Sequence, residues 1–113
     1  MSDLALGRMK AGKMNKTEAA YAIRLDEMKS DGTIRWFSFE GMTFKLADNT
    51  RYTPDFAVMR DDGLIELHEV KGFFREDAKV KVKVAAEMFP FRFLIVRKKA
   101  KKDGGGWSTE VFE

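Results

Sequence analysis

The stretch that decides the fold is YTPDFAVMRDDGLIELHEVKG, residues 52–72. It reads as two β-strands joined by a tight turn. Val, Ile, Phe, Tyr and Thr dominate both arms, and Asp61, Asp62 and Gly63 punctuate them. With a three-residue loop closed by a left-handed Gly63, Arg60 pairs with Leu64 and the ladder counts back to place Asp55 opposite Glu69. Ala57 then faces Leu67 and Met59 faces Ile65. One face is therefore apolar toward the turn and charged at its open end, where Lys71 also lies. A two-residue loop would instead set Asp55 against Val70 and mix Glu66 and His68 with Ala57 and Met59, a poor core. The three-residue loop is expected. Opposed residues on one face have Cβ atoms roughly 4.5–5.5 Å apart. Two carboxylates that close repel each other unless a cation sits between them, and a divalent cation suits the place.

Composition narrows the chemistry. A chain of 113 residues makes one domain with a single core. With 44% hydrophobic and 35% charged residues, it has the make-up of an ordinary soluble globular protein. The absence of cysteine excludes disulfides and thiolate metal sites and fits a reducing cytoplasm. One histidine excludes a His-rich zinc site, so any metal is held by oxygen, which favours Mg²⁺ or Mn²⁺. No apolar run approaches the roughly 20 residues of a membrane span, and no signal-peptide-like segment opens the chain. The net charge is only +3, but the cations crowd two places. One is the N-terminal arm (Arg8, Lys10, Lys13, Lys16) and the other the second half, while the middle, including Asp48, Asp55, Asp61, Asp62, Glu66 and Glu69, is acidic. A basic surface around an acidic pocket suits a polyanion held by its phosphates. Lysines kept for solubility are the plainer alternative.

Residues 1–14 read as a flexible basic arm, either a tracker of a nucleic-acid backbone or an ordinary terminus. Residues 15–113 form the folded domain. A helix is expected over 15–29, with Asn15 as N-cap and Glu18 three residues on, the capping-box arrangement. Glu18 also heads a stripe through Ala22, Leu25 and Lys29, so its carboxylate is either a capping acid or a contributor to the buried side. Residues 33–39 read as a strand with Ile34, Trp36 and Ser38 on one face and Arg35, Phe37 and Phe39 on the other. A second strand follows over 42–46, with Glu40 as a turn acid between the two. Pro54, lacking an N–H, is placed to fix a kink that aims Asp55. His68 reads as a packing or surface histidine across from Phe56.

Residues 75–89 carry two signals. KVKVKV alternates as a strand does, yet Ala78, Val82, Ala85 and Phe89 keep helical spacing, as do Val80, Val84 and Met88. Pro90 stops the segment and FRFLIV follows as a buried central strand, so a helix that makes a parallel crossover is expected. Lys79 and Lys83 would share a face of it, open either to phosphates or to solvent. Residues 98–102, with Lys98 and Lys99, run into three glycines as a basic loop, and 107–112 add an edge strand. Trp107 there either stacks on a base or covers the edge.

Pro54-Asp55 followed by Glu69-Val70-Lys71 at the end of the next strand resembles the PD-(D/E)xK nuclease superfamily. NKTEAAYA, FEGMTFKLADNTRYTPDF and ELHEVKGFFREDAKVKVKVAAEMFPFRFLIV look like small phage proteins of that superfamily and cover nearly all of residues 15–96. Their layout is similar to phage endonuclease I-type Holliday-junction resolvases. The resemblance implies an α/β (α+β) fold with a restriction-endonuclease-like central mixed sheet flanked by helices. It also implies Mg²⁺ or Mn²⁺ held by Asp55, Glu69, the Val70 carbonyl and Glu18, with Lys71 beside the attacked phosphate or simply salt-bridged to an acid. DNA, branched by preference, is the implied substrate. Lys13, Lys16, Arg75, Lys79, Lys83, Lys98 and Lys99 are the expected DNA contacts, and a homodimer in the host cytoplasm is the implied setting, joined through the arm or the Phe-rich β region. The alternatives are a nicking or restriction-like nuclease on duplex DNA, and a non-catalytic nucleic-acid-binding module of the same fold.

Overall fold

The computed structural model describes residues 12–71 and 76–113. Most of the basic arm, Gly72 and Arg75 lie outside the described residues. The elements are helix α1 (Lys16–Ser30), strands β1 (Ile34–Phe39), β2 (Phe44–Ala47), β3 (Thr50–Tyr52), β4 (Phe56–Arg60) and β5 (Ile65–Lys71), helix α2 (Glu76–Met88), then β6 (Arg92–Lys98) and β7 (Trp107–Phe112). Five strands form one sheet in the order β1-β4-β5-β6-β7, and β2 and β3 form a separate two-stranded ribbon. Among the described strands only β5 and β6 pair in parallel, and α2 makes the crossover between them. The fold is thus an α+β mixed sheet flanked by helices.

The hairpin forms in the expected register. Ala57 pairs with Leu67 and Met59 with Ile65. Arg60 N–H donates to the Leu64 carbonyl at 2.8 Å, and Gly63 N–H closes back on the Arg60 carbonyl at 3.0 Å. Gly63 has φ +88°, the left-handed conformation that completes the loop. Asp62 adds a bond from Leu64 N–H to its side chain at 3.1 Å.

Two details differ from the sequence reading. The first arm is not one strand: β3 ends at Tyr52, pairs with β2, and β4 begins at Phe56. The buried Pro54 sits in the break, where no ladder bond needs its missing N–H. In β1 the pairing slips between Ile34 and Trp36, a bulge that leaves Arg35 as the extra residue. Ile34 therefore points the same way as Phe37 and Phe39, into the core. Phe37 and Phe39 lie against Phe56, with ring centroids 6.2 and 5.4 Å apart, while Trp36 of the same strand stays exposed.

Each sheet face carries its own apolar cluster. Tyr21 and Leu25 of α1 pack over Ile34, Phe56, Val58, Val70, Leu94 and Val96. Val82 and Ala85 of α2 pack over Ala57, Leu67, Phe93 and Ile95, with Phe44 and Tyr52 of the ribbon beside them. Of the two stripes in α2, only the one through Val82, Ala85 and Phe89 faces the sheet, while Val80, Val84 and Met88 stay exposed. His68 pairs with Phe56 across the hairpin and is buried. Its Nδ1 lies 2.7 Å from the Tyr21 hydroxyl and its Nε2 3.0 Å from Glu66.

Candidate metal centre

Residue alternation sends Leu67, Glu69 and Lys71 to the α2 side of β5 and His68 and Val70 to the α1 side. Glu69 is 7% exposed and both its oxygens are engaged. The Tyr52 hydroxyl donates to Oε1 at 2.7 Å and the Lys71 ammonium stands 2.9 Å from Oε2. Burial, reinforced by the Glu69 charge, pushes the Tyr52 hydroxyl well above the ordinary tyrosine range, so it remains a donor.

Asp55 follows Pro54 at the mouth of β4. Its Oδ2 accepts from Val70 N–H at 2.8 Å, and its carbonyl accepts from Glu40 N–H at 2.7 Å. Val70 thus holds Asp55 in place through its amide. Burial is the largest influence on the Asp55 carboxyl, followed by the Glu69 charge, with Val70 N–H opposing them and Glu18 adding to them. Together they push it up to about 8. Glu18, which adds to the upward push on Asp55, also closes the capping box. Its Oε1 accepts from Asn15 N–H at 2.9 Å, while Asn15 Oδ1 accepts from Glu18 N–H at 2.8 Å. The cap and the site share one carboxylate. Glu40 sits in a turn at φ +50° with its side chain on Gly12 N–H, away from any such role.

The donor chemistry fits a hard divalent cation. Asp55, Glu69 and Glu18 offer only oxygen, and a raised carboxyl beside a second carboxylate is relieved by local positive charge. Among the described residues no three His, Asp or Glu side chains are already gathered as a cage.

Beside Glu69 and Lys71 opens a cleft of about 240 Å³, lined also by Arg51, Tyr52, Thr53, Ala78 and Lys81. Tyr52, Arg51 and Lys81 escaped the sequence reading. Tyr52 and Arg51 reach the site because β3 leaves the main sheet, and Lys81 reaches it through the rotational setting of α2. Lys81 could have been found by noting that it lies about one turn beyond Ala78 on the same side. Of the expected DNA contacts, Lys13 and Lys16 are exposed ahead of and at the start of α1. Lys98, the last residue of β6, and Lys99 just past it are exposed at the same end of the sheet as Lys71, which pairs with Arg97. Lys79 instead reaches Glu110 at 3.4 Å, and Lys83 borders a groove with Ala86, Val111 and Phe112. Two larger cavities, about 550 Å³ near Leu64 and Phe89 and about 570 Å³ between α1 and Trp107, exclude the carboxylate pair. Trp107 packs edge-on against Tyr21 at 5.0 Å, a covering role. No described helix is long and apolar enough to cross a membrane.

No family model, curated protein or solved structure matches this chain.

Proposed function

We propose that the protein is a divalent-metal-dependent nuclease that hydrolyses DNA phosphodiester bonds. The observation that carries this is the meeting of Asp55 and Glu69 at the open end of one hairpin, with Lys71 2.9 Å from Glu69. Asp55, Glu69 and Glu18 would hold Mg²⁺ or Mn²⁺, with the Val70 carbonyl as a further oxygen. The cation, when bound, acidifies water and offsets charge gathering on the phosphate. Tyr52 fixes the orientation of Glu69 and Val70 N–H that of Asp55. Lys71 keeps its ammonium next to the scissile phosphate, where it orients water and offsets negative charge during attack. Water adds to phosphorus, the bond to the leaving oxygen breaks, and the products are a hydroxyl and a phosphate monoester.

Branched DNA is the proposed substrate, with recombination or DNA processing as the setting. The test compares a labelled four-way junction with a linear duplex of the same sequence, in Mg²⁺ and in EDTA, for wild type and Lys71→Ala. Paired Mg²⁺-dependent cuts near the branch, reduced at least 100-fold in the variant, are expected. Equal cutting of both substrates would leave the nuclease and remove the junction preference.

A second reading draws on the engaged oxygens of Glu69: a binding module that keeps the fold without cleaving. Asp55→Asn and Glu69→Gln separate the two. A nuclease loses cleavage and keeps or gains DNA affinity, because acidic repulsion is removed. A binding module needs no divalent ion and shows no cleavage to lose.

A further inference from the structure

Two cations at the cleft have no part in the chemistry above. Arg51 stands on β3 and Lys81 on α2, and the fold brings both to the cleft that holds Glu69 and Lys71. Both side chains are exposed, and among the described residues neither forms an ion pair. Four other cations of the sheet and α2 are ion-paired elsewhere: Arg60 and Arg92 with Glu66, and Lys79 and Arg97 with Glu110. Among the described residues the cleft therefore presents Arg51, Lys71 and Lys81 against the single acid Glu69 in its lining, an excess of positive charge directed at whatever enters.

Its size and chemistry say what enters. At about 240 Å³ it falls below the roughly 300–1,000 Å³ of pockets that enclose a whole small molecule. Among the described residues its one lining aromatic, Tyr52, is buried with its hydroxyl committed to Glu69, so that ring offers no free face to stack a base. A sugar-phosphate backbone fits such a place and a sequestered nucleoside does not.

We propose that Arg51 and Lys81 hold the phosphates flanking the one at Lys71, so that the cleft takes the backbone of a continuous polynucleotide strand without reading its bases. This rests on the nuclease assignment only for which phosphate lies at Lys71. The grip itself is measured without cleavage.

The experiment is the salt dependence of binding to a fluorescein-labelled 20-nucleotide single strand of mixed sequence. Ca²⁺ replaces Mg²⁺, and strand integrity is checked on a gel. Each phosphate contact removed lowers the slope of log K against log salt by about 0.7 on a single strand. Arg51→Ala and Lys81→Ala are each expected to show that drop, Arg51→Lys and Lys81→Arg to keep the wild-type slope, and Lys29→Ala, at the far end of α1, to leave it unchanged. A second strand of different sequence should give the same slopes. Thymidine 3′,5′-bisphosphate should fail to displace the strand at nucleotide concentrations where unlabelled 20-mer displaces it fully.

Unchanged slopes in both alanine variants, no binding by wild type, or displacement by the bisphosphate at matched concentration would each overturn the inference. Cleavage in Mg²⁺ with unchanged slopes sinks the flanking grip and leaves the nuclease. The expected slope changes without any cleavage sink the nuclease and leave the grip.

Discussion

Asp55 is held at a cost. Its carboxyl is pushed up to about 8, first by burial and then by Glu69, from an ordinary value of 3.8. In the unfolded chain it ionises near 3.8, so the metal-free folded state loses stability as pH rises from about 4 through about 8. Asparagine at this position removes the charge and still accepts from Val70 N–H. Asp55→Asn is therefore expected to raise the melting temperature of the metal-free protein more at pH 8 than at pH 5, by differential scanning fluorimetry in EDTA. An equal effect at both pH values would contradict burial and the Glu69 charge as the source of the shift. Asp55, Glu69 and Lys71 were legible in the sequence because strand alternation and one loop length place them. Tyr52 was not, because its bond to Glu69 requires β3 to peel away from the hairpin, and nothing local in TRYTPD encodes where that ribbon docks.

At the scale of elements, the site depends on the turn at its far end. A one-residue slip in the loop would turn Asp55 away from Glu69 and exchange the two faces of the strand. Gly63 at φ +88° sets the loop, and a Cβ there carries a left-handed penalty of about 1–2 kcal/mol. Gly63→Ala is expected to lower unfolding free energy by about that amount in urea denaturation, and an unchanged midpoint would show that the loop relaxes freely. The hairpin, the capping box on α1 and the helical crossover could be read from spacing, since each is encoded within a few neighbouring residues. The bulge in β1 could not. Ile34, Phe37 and Phe39 reach the same core only when Arg35 is extruded, and the demand for that comes from Phe56 on another strand.

For the whole molecule, two apolar layers fix the sheet and leave one end of it to charge. The parallel step from β5 to β6 brings Lys98 and Lys99 to the end where Lys71 lies, and α2 adds Lys81. That distribution was visible as crowded cations in the second half of the chain. Which lysines face the cleft was not, because the rotation of α2 follows from Val82 and Ala85 packing on the sheet. Two symmetric cuts in a junction call for two copies of the site, so the proposed substrate carries a homodimer with it. Sedimentation velocity at micromolar concentration is expected to give twice the mass of the chain, and a monomer there would count against paired cutting.

The most direct measurement of the central claim is calorimetric titration of Mn²⁺ into wild type, Asp55→Asn and Glu69→Gln, with no DNA present. Saturable binding by wild type, weakened at least tenfold in each variant while circular dichroism shows both folded, is the expected result. Binding of equal strength in all three, or no binding by wild type, would contradict a metal centre at Asp55 and Glu69.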